Sequence, residues 1–307
     1  MNDFFPQIKG IGGGEEAKLL CAQAHISQGD YDKAAAECRE ALKAHPRSAP
    51  ARLVLGWIHA QDGLYEESLA ECREAVGRDP KLIQGWLLMA SVFSEMGRFD
   101  EAADTLNEAV KQGPKDFMAR LMLGELLLQK NRLEEAAREF KHAVKLNPQL
   151  DTAHYKLAVA CQKMGKEREA MAEVEAALRL NPTARSHVLL GDFHRARKEI
   201  DTARLHYQEA LELNPQMAEA HQRLGEVFSE LKQLPLAVQE FRAALLRNPK
   251  LPEAHFMLGK AYAESGRNKE AVAEFQAALE IDPQMNEAAG ALKRLGKTED
   301  RAEGSKP

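Results

Sequence analysis

From Glu15 onward the apolar residues fall in short stripes at spacings of three and four, separated by charged positions. In PEAHFMLGKAYAESGRNKEAVAEFQAALEIDP, residues 252–283, one stripe runs through Ala254, Met257, Leu258 and Ala261, as on one face of an amphipathic helix. Gly266 ends that helix. A second stripe follows in Ala271, Phe275, Ala278 and Leu279, and Pro283 closes the segment, because proline cannot continue a helix. The pattern predicts a helical hairpin.

The closing proline recurs as Pro46, Pro80, Pro114, Pro148, Pro182, Pro215, Pro249 and Pro283, every 34 residues except for one step of 33. Other columns keep the same phase. The middle of each first helix is tiny: Ala22, Gly56, Ala90, Gly124, Ala158, Gly191, Gly225 and Gly259. The second helix carries Ala34, Ser68, Ala102, Ala136, Ala170, Ala203, Ala237 and Ala271, then a second small column from Ala41 to Ala278. Between them sits a filler: Cys38, Cys72, Leu106, Phe140, Val174, Tyr207, Phe241 and Phe275.

A 34-residue helical hairpin with these columns and a terminal proline resembles the tetratricopeptide repeat. The resemblance implies an all-α fold, a right-handed superhelical solenoid of antiparallel hairpins with first helices on the concave wall, used to hold peptides or proteins. It divides the chain into units at about 15–48, 49–82, 83–116, 117–150, 151–183, 184–217, 218–251 and 252–285, with a capping helix at 286–296. Each unit buries its apolar face only against its neighbours, so 15–296 is expected to be one domain. A flexible arm at 1–14, jointed at Gly12, Gly13 and Gly14, and a disordered tail at 297–307, charged and with too little apolar surface to fold, are expected to flank it. The turn glycine of Gly29, Gly63, Gly97, Gly165 and Gly266 is replaced by Asn131, Lys198 and Lys232, where looser or differently bent turns are expected. The residue missing between Pro182 and Pro215 is expected in a connection.

Composition narrows the function. A net charge of −5, with acidic and basic residues interspersed, argues against nucleic acid, whose phosphates need clustered Lys and Arg. No stretch approaches the roughly 18 apolar residues of a membrane span. Residues 1–14 have neither the basic start nor the apolar run of a secretory signal, so a cytoplasmic location is expected. Cys21, Cys38, Cys72 and Cys161 fall in apolar columns and read as small core hydrophobes without metal-ligand spacing. His154, His187, His221 and His255 share one column, held by Trp86 in the third unit. Histidines of successive units are too far apart to share one ion, since packed helices lie roughly 8–10 Å apart. The expectation is no metal, no cofactor and no catalysis.

The resemblance turns certain first-helix columns toward a groove: Leu19, Leu53, Leu87, Leu121, Tyr155 and Phe256, the next column with Met122, Lys156 and Arg223, and a further one with Trp57 and Lys260; Arg195 lies beside them. The wall reads as apolar in units one to four and mixed thereafter. A scaffold or adaptor, chaperone-like, that grips an amphipathic helix or apolar peptide is the expected function. The alternative is a structural subunit that self-assembles into a homo-oligomer through its apolar surface, with Phe4 and Phe5 of the arm entering a neighbour.

Overall fold

The computed structural model describes the backbone of residues 13–303 and the side chains of residues 14–295. The expected arm, with Phe4 and Phe5, lies outside them. The described residues are helices and short connections, with no strand. The chain divides into two compact units, residues 1–166 and 167–307, where the repeat pattern led us to expect one domain. The division falls at the turn of the fifth repeat, next to Gly165.

The first unit holds α1 (Gly13–Ser27), α2 (Tyr31–Ala44), α3 (Ala49–Gln61), α4 (Tyr65–Arg78), α5 (Ile83–Glu95), α6 (Phe99–Gln112), α7 (Phe117–Gln129), α8 (Leu133–Leu146) and α9 (Asp151–Lys163). The second holds α10 (Glu167–Leu180), α11 (Ala184–Ala196), α12 (Ile200–Leu213), α13 (Ala218–Glu230), α14 (Leu234–Arg247), α15 (Pro252–Glu264), α16 (Asn268–Ile281) and α17 (Asn286–Glu303). Within each unit successive helices pair as hairpins, α3 with α4 and α13 with α14 for example, and the second helix of a hairpin packs on the first helix of the next.

The closing prolines act through the residue before them. Every second helix stops two residues short of its proline, because the residue preceding proline is pushed out of the helical region. That residue, His45 in the first hairpin and Asn248 in the seventh, still donates its N–H to the alanine four positions back, Ala41 and Ala244. Three residues, 181–183, join α10 to α11 where four join α2 to α3, so the shortened repeat loses its residue in the connection.

The small and filler columns meet. A Cβ on Gly124, Gly191, Gly225 or Gly259 would lie 2.6–2.8 Å from the ring of Phe140, Tyr207, Phe241 or Phe275. The third hairpin carries the larger Ala90 and the smaller Leu106 in the same two columns, a trade of volume between them. All eight fillers are buried.

Three expectations are corrected. The turns at Asn131, Lys198 and Lys232 are not loose: they take φ values of 58°, 63° and 59°, in the same left-handed region as the glycines they replace. The hydrogen bonds that close each turn require that conformation whatever the residue; Gln233 N–H donates to Phe228 O at 2.8 Å, just as Arg267 N–H donates to Tyr262 O at 2.9 Å. Gly13 and Gly14 belong to the first turn of α1, followed by Glu15 and Glu16, which suit the positive end of the helix dipole. Helix α17 runs on to Glu303, through the stretch expected to be a tail, because 297–303 contains neither glycine nor proline to stop it.

Candidate polypeptide-binding wall

First helices touch one another across hairpins, α3 with α5, α5 with α7 and α7 with α9 in the first unit, and α13 with α15 in the second. They form a wall in each unit, with the second helices behind. In the first unit Leu19, Leu53, Leu87 and Leu121 are 6% exposed or less. They are core, not an apolar surface offered to a partner, because side-by-side helices close over that column. Where the wall opens, between α3 and α5, it forms a cleft of about 230 Å³ lined by Trp57, Gln61, Tyr65, Leu88, Ser91 and Glu95. Trp57 is itself 7% exposed and stands edge-on to Tyr31, ring centroids 5.8 Å apart, so it presents only part of its ring to the cleft. Met122 and Tyr155 are half-buried further along, and Lys156 is paired with Glu125 at 2.9 Å.

At the open end of the first unit, Leu20 and Cys21 are exposed, although their column mates Val54 and Leu55 are buried. No described hairpin precedes α1 to cover that face. Cys21 is therefore not the core thiol expected. Burial pushes the Cys38 and Cys72 thiols up to about 12, as it should for buried small hydrophobes.

The wall of the second unit is charged, and its charges are spent on each other. The Arg195 guanidinium donates to Glu226 and, at 2.6 and 2.8 Å, to Glu230. Arg223 Nε lies 3.3 Å from Asp192, and the Tyr207 hydroxyl donates to Asp192 at 2.7 Å. Glu226 is only 6% exposed and also accepts from Gln222. Burial raises the Asp192 carboxyl above the ordinary carboxylate range, against the pull of Arg223. Burial and Asp192 together push the Tyr207 hydroxyl up. Two cations thus face three carboxylates across α11 and α13, a network whose partners are costly to remove singly. Beside it lies a cleft of about 220 Å³ lined by Arg195, Glu226, Met257, Lys260 and Glu264. Lys260 is exposed, 5.7 Å above the ring of Phe256, which is half-buried against Phe275. Lys156 belongs to the first unit and Phe256 to the second.

The histidine column has a job the sequence did not reveal. His154, His221 and His255 each place Nε2 3.2–3.3 Å from the carbonyl of the closing proline six residues back, as Trp86 does with its indole N–H at 2.9 Å. Nδ1 of His221 meets Glu240 at 2.6 Å and that of His255 meets Glu274 at 2.7 Å. Earlier hairpins close the same gap with Lys18 to Glu37, Arg52 to Glu71 and Arg120 to Glu139. This clasp spans nineteen residues and fastens the two helices of one hairpin. The recurrence of Glu just before the filler was its signal. In the sixth hairpin that place is His206, and Glu209 of the next turn approaches instead, 2.9 Å from His187 Nδ1 and 2.8 Å from His206 Nδ1. Burial lowers the pKa of His187 below the usual imidazole value, against the raising effect of Glu209.

A family model described as tetratricopeptide repeat matches residues 19–83, 87–151 and 223–286, most of the chain. The chain belongs to the tetratricopeptide repeat family. Two further models of such repeats match 127–192 and 191–232, filling the interval between the second and third of those matches. Family members are typically scaffolds for protein–protein interaction, and this chain is a scaffold of that kind in its repeat architecture. No curated protein matches it in sequence. Among solved structures it is similar to YrrB, described as a tetratricopeptide repeat protein with an unusual peptide-binding site, at 24% identity and TM-score 0.50, covering 62% of this chain and 99% of that one. It is also similar to the APC/C hetero-tetramer Cut9–Hcn1 at 18% identity and TM-score 0.66, over 95% of this chain but 58% of that one. A third is PilF of Pseudomonas aeruginosa, at 21% identity and TM-score 0.61, covering 69% and 97%. At such identities the likeness establishes the repeat fold alone. None of the described helices is long and apolar enough to cross a membrane.

Proposed function

We propose that this tetratricopeptide repeat protein is an adaptor that binds a peptide or amphipathic helix of a partner protein on the first-helix wall of its first unit, with one apolar side chain entering the cleft between α3 and α5. The observation that carries the reading is that cleft, where Trp57, Tyr65 and Leu88 give an apolar floor beside the polar rim of Gln61, Ser91 and Glu95. Aromatic anchors ringed by polar groups are where binding energy concentrates. YrrB, a repeat protein described with an unusual peptide-binding site, supports it by analogy of fold.

The test starts from a displayed peptide library panned against the full chain. Ser91→Arg fills the cleft from a half-buried position without removing packing, so it should weaken the selected peptides at least about tenfold, or about 1.4 kcal/mol, in fluorescence polarisation. Lys260→Glu, on the other unit, should leave affinity within about twofold. Unchanged binding by Ser91→Arg, with the helical circular dichroism intact, would remove the cleft from consideration.

A second reading, self-assembly, draws on leucines left exposed on second helices of the other unit, Leu205 and Leu213 on α12 and Leu246 on α14, the last 82% exposed. Light scattering separates the readings, because self-assembly requires a mass that grows with concentration and shrinks in Leu246→Glu.

A further inference from the structure

The third hairpin has Trp86 and Thr105 at the clasp positions, but the sixth departs from the clasp with metal-binding chemistry. In five hairpins a basic or imidazole group on the first helix meets a glutamate nineteen residues on. In the sixth, the residue nineteen after His187 is His206, so two imidazoles and the Glu209 carboxylate converge. His187 Nδ1 and His206 Nδ1 are 3.3 Å apart. An imidazole facing an imidazole does not replace the charge attraction that closes the other clasps, whereas a cation between them would.

The geometry points to a divalent metal site of His187, His206 and Glu209 in α11 and α12, taking zinc or a neighbouring late first-row ion. Donors held 3.3, 2.9 and 2.8 Å apart lie on a circle of about 1.7 Å radius. One point roughly 2.1 Å from all three therefore exists, about 1.2 Å off their plane, and 2.0–2.2 Å is the zinc bond length to nitrogen and carboxylate oxygen. A separation of about 3.3 Å is also what tetrahedral zinc imposes on two nitrogens. Two imidazoles and one carboxylate suit zinc, cobalt, nickel or copper, not calcium or magnesium, which take oxygen ligands. The rings are held in place before any ion arrives. His206 stacks on His194 at 5.3 Å and 19°, and His194 is itself fixed by its contact with Glu199 at 2.5 Å. Such supporting contacts are what orient ligating histidines. The side chains of His187 and His206 are 13% and 19% exposed and that of Glu209 49%, so an ion could enter from the glutamate side and keep a water as its fourth ligand.

The experiment uses the full chain, freed of metal with a chelator, then titrated with cobalt(II) and, by calorimetry, zinc. One tight equivalent is expected, with the visible absorption of tetrahedral cobalt, displaced by zinc and untouched by excess magnesium. His206→Gln and Glu209→Gln should each weaken it by about tenfold or more, while His255→Gln, in an ordinary clasp, should not. Glu209 is half-exposed, so its variant stands even where His206→Gln disturbs folding, which circular dichroism reports. The site is refuted if cobalt and zinc give no tight equivalent, or if that equivalent survives both the His206 and Glu209 changes.

Discussion

At Lys198 a bulky residue occupies a backbone conformation that glycine holds in five other turns, at φ 63°. The left-handed region costs a residue with a Cβ roughly 1–2 kcal/mol, and glycine returns part of that gain as extra freedom in the unfolded chain. Lys198→Gly should therefore stabilise the second unit by about 0.5–1 kcal/mol, read as a higher urea midpoint at unchanged slope. Asn131→Gly should gain less, because asparagine tolerates this region better. A lower midpoint for Lys198→Gly would mean that the turn is not paying for its side chain. The position of these turns was legible in the sequence as a glycine column. Their geometry was not, because the hydrogen bonds that impose it run between backbone groups and leave no residue preference strong enough to forbid lysine.

Among the elements, the hairpin is defined by the exchange of volume between its small and filler columns. In the seventh hairpin a Cβ on Gly225 would sit 2.8 Å from the Phe241 ring, while the third hairpin carries Ala90 and Leu106, both buried, in the same two columns. Gly225→Ala alone should destabilise by about 1–2 kcal/mol, the overpacking outweighing the gain in helix propensity. Phe241→Leu alone leaves a void. Together they rebuild the third hairpin's arrangement, so the double variant should be more stable than the sum of the singles by about 1 kcal/mol or more. Strict additivity in denaturation would show that the columns do not touch as described. These columns were readable from the sequence because close approach demands tiny residues. The burial of Leu19, Leu53, Leu87 and Leu121 was not, because a column pointing toward the wall is exposed or covered according to how closely the next first helix lies, and no residue in the column itself records that distance. His206 was missed for a related reason: it breaks a glutamate column whose meaning appears only once the clasp to the first helix is seen.

For the molecule as a whole, the clasps have a consequence in how the chain would bear load. Lys18 to Glu37, Arg52 to Glu71, Arg120 to Glu139, His221 to Glu240 and His255 to Glu274 each close within one hairpin. Pairs such as Glu66 to Arg98 and Lys232 to Glu264 tie one hairpin to the next at exposed sites, where ion pairs contribute little, whereas the sixth and seventh hairpins share the part-buried network of Arg195, Glu226, Arg223 and Asp192. Pulled by its ends in an optical trap, such a chain should yield one hairpin at a time outside that linked pair, each step releasing 34 residues, or on the order of 110 Å of contour, instead of rupturing a whole unit at once. The repeat then works as a spring of separate latches, each able to open and reseal while its neighbours hold, so a scaffold that loses one hairpin under strain keeps the binding surface of the others.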